Sequence, residues 1–267
     1  MTLTDAQVEQ AASDLLAAED SRAQIGLLSL RHPGMTLDDA YRIQSAQMAQ
    51  KLAAGRQIVG WKIGLTSKVM QEALNIDTPD SGVLYDDMVF SNGGTVPAGR
   101  FIQPRIEAEI AFVMKAPLSG EVTRDDVIAA TDYVTPSLEI LDTRIQRADP
   151  ETGKARIIVD TVSDNAANAG IVTGDERNAP DAFDLRWTGA IVTKDDEVVA
   201  TGLGAAVLND PVTGIVWLAR RMGQYGQRIE AGQVVLSGSF IAPIECPPGT
   251  RVEADFGAFG SVKIKFD

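Results

Sequence analysis

The chain begins with two stretches in which apolar and polar positions recur at helical spacing, and the period then shortens. "TDAQ" at 4–7 has the form of a capping box, and the Ala-, Leu-, Glu- and Gln-rich segment after it predicts a helix to about Asp20. In "GMTLDDAYRIQSAQMAQKLAAG", Thr36 can cap a second helix, Tyr41, Gln44 or Ser45, Met48 and Leu52 recur along one face, and Gly55 ends it. From Ile58 the pattern becomes short β-branched runs separated by Gly, Pro, Asn and Asp: "IVGWKIGLT", "RIEAEIAFVM", "WTGAIVTKDDEVVATG", "GQVVLSGSF", "TRVEADFG" and "SVKIKFD". "KDDE" predicts a hairpin tip. Helices are expected over 123–134 and from Pro211 to Gly223. The pattern thus predicts an α+β, mostly β protein: a helical N-terminal layer over residues 1–56 and a β-rich catalytic domain over 57–267. No alternation of strand and long helix suggests a doubly wound sheet.

One strand carries a chemical oddity. In "PRIEAEI" at 104–110 the strand period places Arg105, Glu107 and Glu109 on one face and Ile106, Ala108 and Ile110 on the other. Two neighbouring carboxylates resist burial unless a proton or a cation stabilises them. Glu139, flanked by Leu138, Ile140 and Leu141, is a third acid in an apolar setting. With no histidine nearby, three glutamates form an all-oxygen set suited to Mg²⁺ or Mn²⁺. The alternative from spacing alone is an exposed face on which Arg105 neutralises a glutamate, or a ladder of ion pairs to the next strand.

In "GWKIGLTS" at 60–67 Lys62 shares a face with Gly60 and Gly64, which would leave space beside it, while Trp61, Ile63 and Leu65 point the other way. A partly desolvated lysine near a cation has a lowered pKa, which suits carboxylate binding or proton transfer; an edge-strand lysine that discourages aggregation is the plainer alternative. "DTVSDNAANAG" at 160–170 is either the polar lining of a site or a turn. The sole histidine, His32, reads as an ordinary loop residue, and the sole cysteine, Cys246, in "ECPPG", as structural. "GLGAAV" at 202–207 and "LSGSF" at 236–240 match neither a dinucleotide loop nor a nucleophile elbow.

Composition narrows the setting. The 267 residues are 45% hydrophobic and 23% charged, ordinary for a globular protein, and the net charge of -13 argues against nucleic acid or an anionic membrane as partner. The longest apolar runs fall far short of a bilayer span, and the N-terminus lacks a basic region followed by an apolar one, so a cytoplasmic protein is expected.

Together, "GWKIGLTSK", "PDSGVLYDDM", "FIQPRIEAEIAFVM", "TDYVTPSLEILDTR", "DTVSDNAANAG" and "AGQVVLSGSF", in this order, resemble the hydratase/decarboxylase family of bacterial meta-cleavage pathways for aromatic compounds, within the fumarylacetoacetate hydrolase superfamily. The resemblance runs from about residue 20 to the end. "DPETGKARIIVDTVSDNAANAG" at 149–170 is most similar to the branch that hydrates a seven-carbon 2-oxo dicarboxylate. The resemblance implies a fold of mixed β-sheets around Mg²⁺ (or Mn²⁺) held by Glu107, Glu109 and Glu139, with Lys62 as the active-site lysine. Trp61 departs from the family pattern, which has His there, with effect expected on packing only. Asp164 and Ser163 are candidates for catalysis, Leu65 and Ser237 for substrate contact. Arg144 and Arg156, in the cationic stretch "DTRIQRADPETGKAR" at 142–156, are candidates for the far carboxylate of a dicarboxylate; the alternative is a solvated loop pairing with Asp149 and Glu151. The implied reaction is metal-assisted addition of water to an unsaturated 2-oxo acid, with decarboxylation the nearest alternative. A catalytically silent partner subunit is the alternative outside enzymes. Implied partners are further copies of the chain, as a pentamer or decamer, and a pathway decarboxylase.

Overall fold

A computed structural model describes residues 2–68, 71–72, 76 and 78–267. The N-terminal layer contains helices α1 (Asp5–Ser21), α2 (Leu28–Arg31) and α3 (Leu37–Ala53). The expected capping box of Thr4 with Gln7 forms, and Thr36 caps α3 as expected, in a second box with Asp39. The face of α3 that packs inward differs from the stripe read from its apolar residues: Asp39, Ala40, Ile43, Gln44, Ala46 and Gln47 are buried, while Leu52 is exposed. The reason is that the inward polar side chains serve backbone groups. Asp39 accepts from Leu3 N, Gln44 donates to the carbonyls of Ser81 and Val162, and Gln47 to that of Ser163. Ile145, Val159 and Val162 complete this layer's apolar core from later in the chain.

Two sheets make up the rest. In the larger, the strand order is β2 (Asp80–Tyr85), β1 (Ile58–Gly64), β10 (Val234–Leu236), β5 (Arg105–Met114), β6 (Thr131–Leu141), β7 (Asn168–Thr173) and β3 (Val89–Phe90), with β11 (Ile244–Glu245) added to β5. The smaller runs β4 (Thr95–Val96), β13 (Ser261–Phe266), β12 (Arg251–Asp255), β8 (Gly189–Lys194) and β9 (Glu197–Leu203). The expected hairpin is β8–β9, its tip formed by Asp195 and Asp196 at φ 52° and 71°. The helix expected over 123–134 is shorter: α4 (Arg124–Ala130) stops where Thr131 begins β6, because Thr131, Tyr133 and Val134 pair with Met114, Val113 and Phe112. Long-range pairing outweighs local helix propensity here.

The polar run at 160–170 divides into α5 (Ile158–Ser163), a turn in which Asn165, Ala166 and Ala167 are left-handed at φ 51°, 52° and 58°, and the start of β7. The turn carries Asn165 to the backbone of β2, where its side-chain amide accepts from Val83 N at 2.8 Å and donates to Val83 O at 2.9 Å. Asn168 donates to the same carbonyl at 3.0 Å. These amides act as a strand neighbour for β2, so the sheet curls until its β2 and β7 sides are linked. Helix α6 (Pro211–Gln224), capped by Asp210, covers the Ile63 face of β1.

The space expected beside Lys62 is filled. A Cβ on Gly60 would lie 2.0 Å from Val234 O of β10, so glycine is required there for the parallel β1–β10 pairing. Replacing Gly60 with Ala should destabilise the protein by about 1–3 kcal/mol in chemical denaturation, because the clash is with backbone that cannot rotate away. Unchanged stability would contradict this packing.

Candidate active site

Glu107 on β5 and Glu139 on β6 stand directly opposite each other in the antiparallel register, and Glu109 is two residues further along β5. Like charges directly opposite are unfavourable on a sheet. Here carboxylate oxygens of all three lie within 4.8 Å of one another. Arg105 does not neutralise them: it pairs with Glu245 at 2.5 Å across β11. Short β10 ends at Leu236, and the chain beyond it runs irregularly beside β5, so that Gly238 N donates to Glu109 Oε2 at 2.8 Å. The other Glu109 oxygen and both oxygens of Glu139 are buried with no hydrogen-bond partner among the described residues.

Curling of the sheet brings Lys62 from β1 over this cluster, with Nζ 3.4 Å from Glu139 Oε1. Asp80, at the start of β2, joins from the same side; a Cβ on Gly64 would lie 2.2 Å from Asp80 Oδ1 and 3.0 Å from Lys62 Nζ. Asp80 Oδ1 is likewise buried and unpartnered among the described residues. Four acids thus surround one ammonium. Burial, and then the charge of Glu139, pushes Glu107 up to about 8; burial also raises Glu109, Glu139 and Asp80 above the ordinary carboxylate range. For Lys62, burial opposes the charged form, but Glu139, Asp80, Glu107 and Glu109 outweigh it and raise its pKa. That is opposite to the direction expected from sequence, which assumed a neighbouring cation rather than carboxylates alone. A hard divalent cation fits the three-glutamate set: the donors are all oxygen, their lone pairs are unspent, and their mutual repulsion calls for positive charge.

The other sequence candidates differ in what they touch. Leu65 lies just past β1, which ends at Gly64, so it does not share the strand face of Trp61 and Ile63; it is left-handed at φ 55°, and its carbonyl accepts from Gln71 Nε2 at 2.7 Å. Ser163 and Ser237 are buried with unpartnered hydroxyls among the described residues. Asp164 and Arg144 are committed to each other: Arg144 Nε donates to Asp164 Oδ1 at 2.6 Å, and its terminal nitrogens donate to the carbonyls of Asp164 and Asn168. Arg156 differs. It sits across a hairpin from Arg147, with Arg156 N donating to Arg147 O at 2.8 Å, and one of its terminal nitrogens is buried without a partner among the described residues. Burial and the neighbouring Arg144 and Arg105 depress its pKa, and it lies close enough to Asp80 to lower that carboxyl's pKa. Among the described residues no ion pair joins Arg147, Lys154 or Arg156 to Asp149 or Glu151; Asp149 instead accepts from Thr152. Sequence reasoning missed Asp80. "PDSG" reads as a turn, and only its place in a stretch carrying the family resemblance singled it out.

No protein-family model matches the chain. It is similar to the 2-oxo-hept-4-ene-1,7-dioate hydratase of Escherichia coli, 46% identical over 93% of this chain and 94% of that one. It is also similar to the 2-keto-4-pentenoate hydratase of Paraburkholderia xenovorans, 40% identical over 99% and 97%. The fold superposes with a TM-score of 0.93 on the 4-oxalocrotonate decarboxylase of Pseudomonas putida G7 complexed with magnesium and adipate, 36% identical and covering 99% of both chains. At 12% identity, fumarylpyruvate hydrolase from Pseudomonas aeruginosa shares the fold, with a TM-score of 0.58 over 77% of this chain and 88% of that one.

Carboxyls whose folded pKa exceeds the unfolded value bind more protons folded than unfolded, so their contribution to metal-free stability is lost as pH rises from about 4.5 towards about 8. Metal ligation requires those same protons to leave. The rise in Tm produced by millimolar Mg²⁺ should therefore grow across this range and level off above it. A rise in Tm that does not change with pH, measured by scanning calorimetry, would contradict the assigned ligands.

Proposed function

Since the chain belongs to the hydratase/decarboxylase family with the fumarylacetoacetate hydrolase fold, we propose that it is a Mg²⁺-dependent hydratase acting on 2-oxo-hept-4-ene-1,7-dioate. The observation that carries this reading is the buried set of Glu107, Glu109 and Glu139 facing Lys62 and Asp80. Mg²⁺ held by the three glutamates would supply Lewis acidity towards the carboxylate and 2-oxo oxygens of the substrate. Lys62, with its charge fixed by the surrounding acids, positions the substrate carboxylate and holds a proton near the reacting carbons. Asp80, whose free oxygen lies beside Lys62, exchanges protons with the substrate or with the added water. The dienol tautomer takes a proton at C5 and gives up its 2-hydroxyl proton to become the conjugated 2-oxo-3-ene; water oxygen then bonds to C4, one water proton leaving to Asp80 as C3 gains a proton, giving the 4-hydroxy-2-oxo acid. Ser163 and Ser237 offer hydroxyls for orienting substrate or water, and Leu65 a contact for the substrate.

The preference for a dicarboxylate is assigned to Arg156, assisted by Arg147, because its buried N–H edge is free whereas Arg144 is spent on Asp164. A homo-oligomer is part of the same proposal. Exposed Trp187, Ile191, Val198 and Leu203, on or beside the β8–β9 edge of the smaller sheet, offer an apolar surface for it.

Lys62→Met should lower kcat by about 10²-fold or more with the Mg²⁺ affinity retained. An unchanged kcat with raised KM would limit Lys62 to binding. Arg156→Met should cut kcat/KM for the seven-carbon dicarboxylate by roughly 2–4 kcal/mol while barely changing that for 2-hydroxypenta-2,4-dienoate. Equal losses for both substrates would remove Arg156 from recognition. Faster CO₂ release from 4-oxalocrotonate than either hydration would move the protein to the decarboxylase branch, and no turnover by the isolated, metal-loaded protein would leave the silent-subunit reading.

A further inference from the structure

Alternation along β1 and β2 gives the sheet two chemically different sides. Lys62 and Asp80 point to the carboxylates; Trp61, Ser81 and Val83 point away, towards α3 and α6. On that far side α3, α6 and the two strands line a partly open cavity of about 390 Å³, within the size range of small-ligand pockets. Its apolar walls include Met48, Trp61, Val83, Leu218 and Met222, and its polar lining includes Arg221, Tyr41 and Ser81. Tyr41, Ser45 and Met48, which recur along one face of α3, line this cavity.

Arg221 is the informative side chain. Its guanidinium carbon lies 3.6 Å from the centre of the Tyr41 ring and 5.2 Å from that of Tyr225, so aromatic rings take up its faces and leave its N–H edge. Among the described residues that edge meets no carboxylate within ion-pair distance. The other arginine lining the cavity, Arg42, is spent on Asp5 and Asp39, and Asp38 stands exposed among the lining residues. Beside Arg221, the Tyr41 hydroxyl is buried next to Ser81 with no well-formed hydrogen bond among the described residues, and burial together with the nearby charge of Asp80 raises its pKa. A buried donor left unpaired costs stability, and a planar guanidinium edge matches a carboxylate with two parallel hydrogen bonds.

We propose that this cavity is a second ligand site, distinct from the metal centre, for a small planar aromatic carboxylic acid. The carboxylate sits on Arg221 and Tyr41 Oη, and the ring lies against Trp61, Met48 and Met222. The inference stands apart from the proposed reaction, since none of the residues it uses is among those assigned to it. An occupant would nevertheless touch Trp61 and Ser81, the chain neighbours of Lys62 and Asp80.

Isothermal titration of cinnamate into the full protein, with Mg²⁺ and excess oxalate present to fill the metal centre, tests it directly. One cinnamate should bind per chain, cinnamamide should bind at least about tenfold more weakly, R221M should lose about tenfold or more in affinity, and Y41F about three- to tenfold. Circular dichroism melting checks that each variant is folded, and Y41F, lacking one oxygen only, keeps the test decisive if R221M does not fold. Absence of binding, displacement of cinnamate by oxalate, or unchanged affinity in a folded R221M or Y41F would overturn the proposal. So would a smaller sedimenting species in R221M, which would place this face between copies of the chain.

Discussion

Several carboxylates packed around one lysine inside a protein form an arrangement that must be compensated, and the rest of the fold follows from how that is done. Glu107 and Glu139 are opposite each other, Glu109 and Asp80 stand beside them, and among the described residues Lys62 alone is within ion-pair distance of one of the four. Protons can relieve the repulsion, as the raised carboxyl pKa values show, but protonation removes the charge that a catalytic centre uses. A divalent cation relieves it while keeping the oxygens as ligands. The position of Lys62 relative to Glu139 in turn requires the sheet to curl, since β10 and β5 lie between their strands.

The curl has an identifiable fastening. Asn165 supplies a side-chain amide in place of a strand, and the left-handed run Asn165–Ala167 sets it against Val83. Consecutive left-handed residues other than glycine are unfavourable by roughly 1–2 kcal/mol each, and such strain persists where the surroundings over-determine it. Here those surroundings include the Arg144–Asp164 ion pair, which anchors the same turn from inside. Asp164, a sequence candidate for catalysis, and Arg144, a candidate for the far carboxylate, thus hold the turn that closes the sheet, while one terminal nitrogen of Arg156 on the adjoining hairpin has no partner among the described residues.

The strand period made Glu107 and Glu109 legible as a same-face pair, and capping residues fixed the starts of α1 and α3. Glu139 was legible as an acid in an apolar run, but its position opposite Glu107 depends on a register that spacing does not encode. Asp80 was hidden by turn-forming neighbours. The periodicity in 36–55 made α3 legible, but its buried face was not, because its inward glutamines and aspartate satisfy backbone groups, a role hydropathy does not register. The segment 131–134 reads as helix because its pairing with β5 is a long-range contact. Which arginine is free could be decided only once Asp164 was seen to hold Arg144.

The central claim is that the three glutamates together hold one divalent cation. Mn²⁺, which is paramagnetic, reports this directly: equilibrium titration followed by electron paramagnetic resonance of free Mn²⁺ gives the number and affinity of bound ions without reference to turnover. The unmodified protein should bind one Mn²⁺ per chain, displaceable by Mg²⁺, and a folded variant with Glu107, Glu109 and Glu139 all changed to Gln should bind none at that site. Retention of one equally tight ion in the triple variant would contradict the account.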